Sequence, residues 1–239
     1  MKSPRVLPLP LSAVNALSTA ASTTSQCIFI YPGTYTEQVL VPARSAQLSI
    51  YGYTADTTSY TGNQVTITSS KSQADGLSND ETATLRVKSA NLKLYNINVN
   101  NGYGKGSQAV ALSAYADSGY YGCQFTGYQD TLLAQRGTQL YAKCLIQGAT
   151  DFIFGYITAS GRSASTDPNY YVFNGGTISS SSSSSSAAAV ASGTYYLGRP
   201  WAAYARVVFQ RTSMSSRSGI LSILGSGYTS AGWYDGSYM

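Results

Sequence analysis

Two aspartates stand out among the ten acidic side chains of this 239-residue chain. Asp130 lies in GYQDTLL (127–133) and Asp151 in GATDFIFG (148–155), both in apolar or rigid surroundings rather than a solvated loop. Burial disfavours a charged carboxylate, so an aspartate followed by Phe-Ile-Phe calls for a nearby cation. Arg199 in YYLGRPW (195–201) is the natural candidate, a guanidinium held by Pro200 and flanked by Trp201. These residues alone leave two readings open: a buried Asp–Arg pair that ties two segments together, or a catalytic carboxylate site. The chain has no histidine at all. That absence excludes Ser-His-Asp and Cys-His nucleophile systems and every His-ligated metal site.

The elements that must position these groups read as many short strands. CIFIY (27–31), QVLV (38–41), QLSIY (47–51), QVTIT (64–68), ATLRVK (83–88) and NLKLYNINV (91–99) are β-branched or aromatic runs separated by Gly, Pro, Asn and Ser. YYGCQF (120–125), TQLYAKCLI (138–146), YYVF (170–173) and ARVVF (205–209) continue the series. One short helix is expected over SAVNALSTA (12–20), with Ala13, Leu17 and Ala20 on one face. Irregular repeats align the run at Tyr121–Phe125 with Asn96–Val99 at a shift of 26, with Ala142–Ile146 at 21, and onward to Asn174–Ile178 at about 32. A stacked solenoid produces repeats of this size, whereas a β-sandwich has no reason to repeat such core triplets. The expected fold is all-β, a right-handed parallel β-helix with a short N-terminal helix. The Ser/Ala run at 179–192 cannot bury a core and reads as a surface loop within one domain.

Composition narrows the partners. Charged residues make up 10% of the chain, against about 25% in an average soluble protein. The net charge of +5 suits a polyanion, either nucleic acid or an acidic polysaccharide. The basic residues are scattered from Lys2 to Arg217 with no basic block or recognition motif, which argues against nucleic acid. No run approaches the roughly 18 apolar residues of a membrane span. Three cysteines, Cys27, Cys123 and Cys144, cannot make a complete disulfide framework; the last two lie in apolar runs and read as core, their pairing left open.

QAVAL (108–112), GYQDTL (127–132), DFIFG (151–155) and LGRPW (197–201) occur in the order and context of the pectin methylesterase (pectinesterase) family, which the chain resembles from about Ser12 to Ser215. GTYTEQV (33–39), DETATL (80–85) and YADSGYYGCQF (115–125) add to the similarity, which is nearest the fungal members. The resemblance implies a pectin lyase-like, single-stranded β-helix spanning 12–215, with 1–11 and 216–239 as atypical ends. It implies Asp151 as nucleophile and Asp130 as general acid/base, with Gln108 and Gln129 stabilising the oxyanion. Arg199 would orient the nucleophile, and Trp201 and Phe154 would contact substrate. The implied reaction is hydrolysis of galacturonate methyl esters to carboxylate and methanol, without metal or organic cofactor. The implied setting is a secreted monomer acting on pectin, with no nucleic-acid or membrane partner.

The chain departs from the family pattern in three places. A stretch of about one coil is missing after DFIFG, the pattern is lost after Ser215, and only about ten residues precede the first helix, with no convincing signal peptide. The chain therefore reads as truncated at both ends. Two other functions stay open: an inactive homologue that only binds pectin, and a β-helix polysaccharide hydrolase, which would use paired carboxylates but seldom need the glutamines and Arg199.

Overall fold

Short β-branched and aromatic runs bury their inward side chains only if another run lies beside them, and here each pairs in parallel with its counterpart one turn of the chain away. A computed structural model describes residues 10–17, 21–153, 158–160, 164–166, 171–174, 176–179, 198–200 and 203–214. Two compact units divide the chain, Met1–Phe154 and Gly155–Met239. Their boundary falls between the last two residues of DFIFG, just before the stretch where the sequence departs from the family pattern.

In the first unit each coil contributes three strands. The first coil holds β1 (Gln26–Ile30), β2 (Gly33–Thr36) and β3 (Val39–Val41), and the second β4 (Leu48–Gly52), β5 (Val65–Ser69) and β6 (Leu85–Val87). The third holds β7 (Leu92–Tyr95), β8 (Asn98–Asn101) and β9 (Leu112–Ala114), and the fourth β10 (Ser118–Tyr121), β11 (Gln124–Thr126) and β12 (Leu132–Ala134). β13 (Gln139–Ala142) and β14 (Leu145–Gln147) begin the fifth. The sheets run β1-β4-β7-β10-β13, β2-β5-β8-β11-β14 and β3-β6-β9-β12, all parallel, which is a parallel β-helix. The repeat shifts of 26 and 21 reappear as registers, Asn98↔Gln124 and Gln124↔Leu145.

Like side chains stack in columns. Ile28, Ile50, Leu94, Tyr120 and Tyr141 form one inner column, and Ile67, Val99, Phe125 and Ile146 form another. Tyr120 is fully buried, stacks on Tyr141 at 4.8 Å and meets Phe125 edge-on at 5.6 Å. On the outer face Tyr51, Tyr95 and Tyr121 stack at 4.8 Å per step. A polar ladder runs beside β8, with the Asn100 amide donating to Thr68 Oγ1 and Thr126 Oγ1 donating to Asn100 Oδ1.

The runs at 91–99, 120–125 and 138–146 are each two strands rather than one, a correction to the reading from sequence. Asn96, Gly122 and Lys143 break them with φ of +54°, +58° and +54°, turning each coil at the same corner. A Cβ at Gly122 would also lie 2.7 Å from the Asn96 amide, so this rung takes glycine for both reasons. The N-terminal helix α1 is Pro10–Asn15, shorter than expected at its C-terminal end. Proline suits the first helical position, and Pro10 and Val14 are buried where α1 packs on β1 and β3. A four-residue helix, α2 (Asn79–Thr82), sits in the long connection between β5 and β6, closed by a Ser78–Glu81 capping box.

Within the second unit the strands again pair in parallel: β15 (Thr158–Ser160) with β18 (Gly198–Pro200), β16 (Tyr171–Asn174) with β19 (Val207–Gln210), and β17 (Thr177–Ile178) with β20 (Ser213–Met214). Phe173 stacks on Phe209 at 4.6 Å, the same columnar packing. The Ser/Ala run from 180 to 192 and the tail beyond 214 lie outside the described residues.

Emptying the inner column tests this packing. Tyr120→Ala is expected to cost about 3–5 kcal/mol, as large-to-small changes of buried aromatics do. Urea unfolding should show a lower midpoint at unchanged slope.

Candidate active site

The site begins with an internal repeat. Gly127-Tyr128-Gln129-Asp130 and Gly148-Ala149-Thr150-Asp151 occupy the same bend in the fourth and fifth coils, just after β11 and β14. Gln129 and Thr150 form a parallel bridge, and the Asp130 amide donates to the Thr150 carbonyl at 3.2 Å. Asp130 and Asp151 are therefore neighbours on consecutive rungs, about 4.8 Å apart along the backbone spacing of a parallel sheet.

Both aspartates have positive φ, +62° at Asp130 and +49° at Asp151. Aspartate and asparagine tolerate the left-handed region better than other side chains bearing a Cβ, so the bend itself favours this residue type. Asp130 is 5% exposed and Asp151 is half-buried. The bend is also tight. A Cβ at Gly148 would lie 2.2 Å from the Phe152 Cβ and 2.8 Å from Thr131 Oγ1, so only glycine lets the chain pass. Thr131 is fully buried and donates to the Gln147 carbonyl at 3.1 Å, which ties the two bends together.

Gln129 precedes Asp130 directly, and Gln108 lies on the rung before. The Ala109 amide donates to the Gln129 carbonyl at 3.2 Å, and Leu112 is in register with Leu132. Gln108 and Gln129 are both half-buried, and neither carboxamide hydrogen-bonds among the described residues. Four of the seven residues singled out from sequence thus fall on three consecutive rungs at one edge of the first unit. Arg199 lies on β18 in the second unit. Phe154 and Trp201 lie outside the described residues.

Sequence reasoning missed the support behind Asp130. The Asn79 amide, at the first position of α2, donates to Asp130 Oδ2 at 3.5 Å and is itself held by the Gln73 amide, which donates to Asn79 Oδ1 at 2.6 Å. No local pattern marks Asn79, which is 51 positions from Asp130; the connection between β5 and β6 carries it across. The next residue, Asp80, serves structure. Arg86 at 2.6 Å and Lys88 at 2.7 Å pair with it, and Ser113 Oγ donates at 2.6 Å. Burial alone would raise the Asp80 pKa, but hydrogen bonds from Arg86, Lys88 and Ser113 outweigh it and hold the carboxyl below its ordinary value.

Fold and site together define a parallel β-helix protein whose adjacent coils each offer an aspartate at the same bend, with uncommitted glutamine amides alongside. A family model described as pectinesterase matches residues 11–157. A pectinesterase of Aspergillus aculeatus is 50% identical over 228 residues, an alignment covering 85% of this chain and 67% of that protein. The crystal structure of the pectin methylesterase from Aspergillus niger, in deglycosylated form, superposes with a TM-score of 0.79 at 36% identity, covering 97% of this chain and 94% of that one. The pectin methylesterase from carrot gives 0.77 at 27% identity, covering 89% of this chain and 71% of that one. The chain belongs to the pectinesterase family.

Gly148→Ala is expected to displace the bend that carries Asp151. Overpacking of this kind costs about 1–3 kcal/mol, so thermal unfolding should shift to lower temperature. An alanine variant melting with the wild type would show that the bend has room the geometry denies it.

Proposed function

We propose that this chain hydrolyses the methyl esters of galacturonate units in pectin, releasing methanol and leaving a carboxylate. The observation that carries the reading is the pair of aspartates on adjacent rungs, one buried and one half-buried, beside two uncommitted glutamine amides. The pectinesterases among its relatives support the same reaction.

In this reading an ionised Asp151 attacks the ester carbonyl carbon, and an anionic nucleophile needs no base to deprotonate it. This chemistry suits a chain without histidine. The amide N–H groups of Gln108 and Gln129 donate to the oxyanion of the tetrahedral intermediate. Asp130 enters protonated and gives its proton to the departing methoxide, which leaves as methanol. The resulting anhydride between Asp151 and the galacturonate carboxyl is then opened by water. Asp130, now ionised, takes a proton from that water as it attacks, and Asp151 leaves as a carboxylate. Asn79 orients Asp130 in either state. Arg199 is assigned to orient Asp151, and Trp201 and Phe154 to contact the sugar, on the match of their motifs to the family's. Secretion as a monomer, and action in cell-wall modification or pectin breakdown, belong to the same proposal, and the +5 charge suits a product that becomes more anionic with each turnover.

Asp→Asn exchanges test the roles cleanly, because asparagine tolerates the positive φ that alanine does not. Purified protein is expected to release methanol from methyl-esterified pectin without shortening the polymer. Asp151→Asn should abolish that release, and Gln129→Ala should lower the rate by about 10²–10³, as loss of an oxyanion donor does. Methanol release by Asp151→Asn at the wild-type rate would remove Asp151 from the mechanism. Polymer shortening would point to a glycosidic hydrolase, and no reaction in well-folded protein to a pectin-binding homologue.

A further inference from the structure

Cys123 and Cys144 occupy one corner of consecutive coils. Each follows a left-handed residue, Gly122 or Lys143, and each leads into a strand, β11 or β14. The registers Tyr121↔Ala142 and Gln124↔Leu145 bracket them, so the two cysteines are opposite one another. Backbone spacing in a parallel sheet puts their Cα atoms about 4.8 Å apart, within the roughly 4.4–6.8 Å that a disulfide spans. The Cys123 amide lies 3.4 Å from Cys144 Sγ, so that sulfur leans toward its neighbour. Cys123 is buried and Cys144 half-buried, while the third cysteine, Cys27, is exposed on β1, three coils from Cys123.

We propose that Cys123 and Cys144 form a thiol–disulfide exchange site, oxidised by a small-molecule disulfide such as oxidised glutathione to an intrachain disulfide joining the fourth and fifth coils. Cys144 is the more accessible of the two and acts first. Its proton goes to solvent, and the thiolate attacks one sulfur of oxidised glutathione, expelling a glutathione thiolate and forming a mixed disulfide. Cys123 then loses its proton and its sulfur attacks Cys144 Sγ, expelling the second glutathione thiolate. Two protein thiols are oxidised and one oxidised glutathione is reduced to two thiols, so electrons and protons balance. The order agrees with the environment of each group. Hydrogen bonding from Cys123 holds the Cys144 thiol below its ordinary pKa against the opposing effect of burial, whereas burial pushes the Cys123 thiol well up.

The cross-link would close a loop that contains Gln129 and Asp130 and would anchor the coil that continues to Asp151. Each cysteine stands seven residues before its aspartate, since 130 − 123 and 151 − 144 both equal 7. Its effect is to restrict the unfolded chain and to fix the spacing of the two coils.

The test uses the full chain with Cys27→Ser, an exposed position, so that only the two core thiols remain. Treatment with oxidised glutathione under native conditions is expected to remove both thiols in a denaturing thiol titration. The protein mass should fall by two hydrogens with no retained glutathione, and the non-reducing peptide map should join Cys123 to Cys144. Thermal unfolding of the oxidised form should lie about 6–12 °C above the dithiothreitol-reduced form, the size expected for closing a loop of this length in a chain of this size. With Cys123→Ser added, Cys144 should instead retain one glutathione. Oxidised protein that keeps both thiols, retains glutathione at Cys144 without forming the cross-link, or melts no higher than the reduced form would overturn the proposal.

Discussion

In-register stacking of parallel coils is the constraint on which the rest of this structure depends. A residue of one coil must lie directly over its counterpart in the next, because the backbone amides and carbonyls of each rung are satisfied by the rungs on either side. A slip of one residue would turn every inward side chain outward. Chain length between equivalent strands is free to vary, and the first unit uses that freedom. The step from β10 to β13 takes 21 residues and that from β4 to β7 takes 44. The extra length leaves the column as a loop and re-enters on register.

Stacking makes like residues neighbours, and the chemistry of the molecule follows from it. The tyrosine stack, the Thr–Asn–Thr ladder, the cysteine pair and the aspartate pair are four cases of one rule. For most of them the consequence is packing. For Asp130 and Asp151 it is two carboxylate side chains held on the same bend one rung apart. The bend selects the residue type, since a left-handed backbone favours aspartate or asparagine, and the neighbouring glycines let the two bends lie close.

Insertions supply what repetition cannot. The connection between β5 and β6 carries Gln73 and Asn79 to Asp130, while Asp80 fastens the same segment to Arg86, Lys88 and Ser113. Asp80 and Asn79 are adjacent, yet one holds the fold and the other touches a candidate catalytic group. That division of labour is common where loops are mounted on a rigid scaffold: the anchored residue limits the wander of its neighbour.

Much of this was legible without coordinates. Runs of β-branched and aromatic residues mark nearly every long strand, and the shifts of 26 and 21 between core triplets already state two of the coil lengths. The motifs around Gln108, Gln129, Asp130 and Asp151 mark the residues that stacking brings to one edge. Hydrophobic runs could not show where a coil turns, because the corners at Asn96, Gly122 and Lys143 interrupt no apolar pattern; hence three doubled strands read as single ones. Nor could they show the three-residue strands at β9 and β12, too short to carry a period. Asn79 was invisible for a different reason. Strand pairing here follows local repetition and so leaves a trace in the sequence, whereas a contact across 51 positions, made by a loop whose path is fixed only by where its two ends re-enter the stack, exists only once the coils have closed.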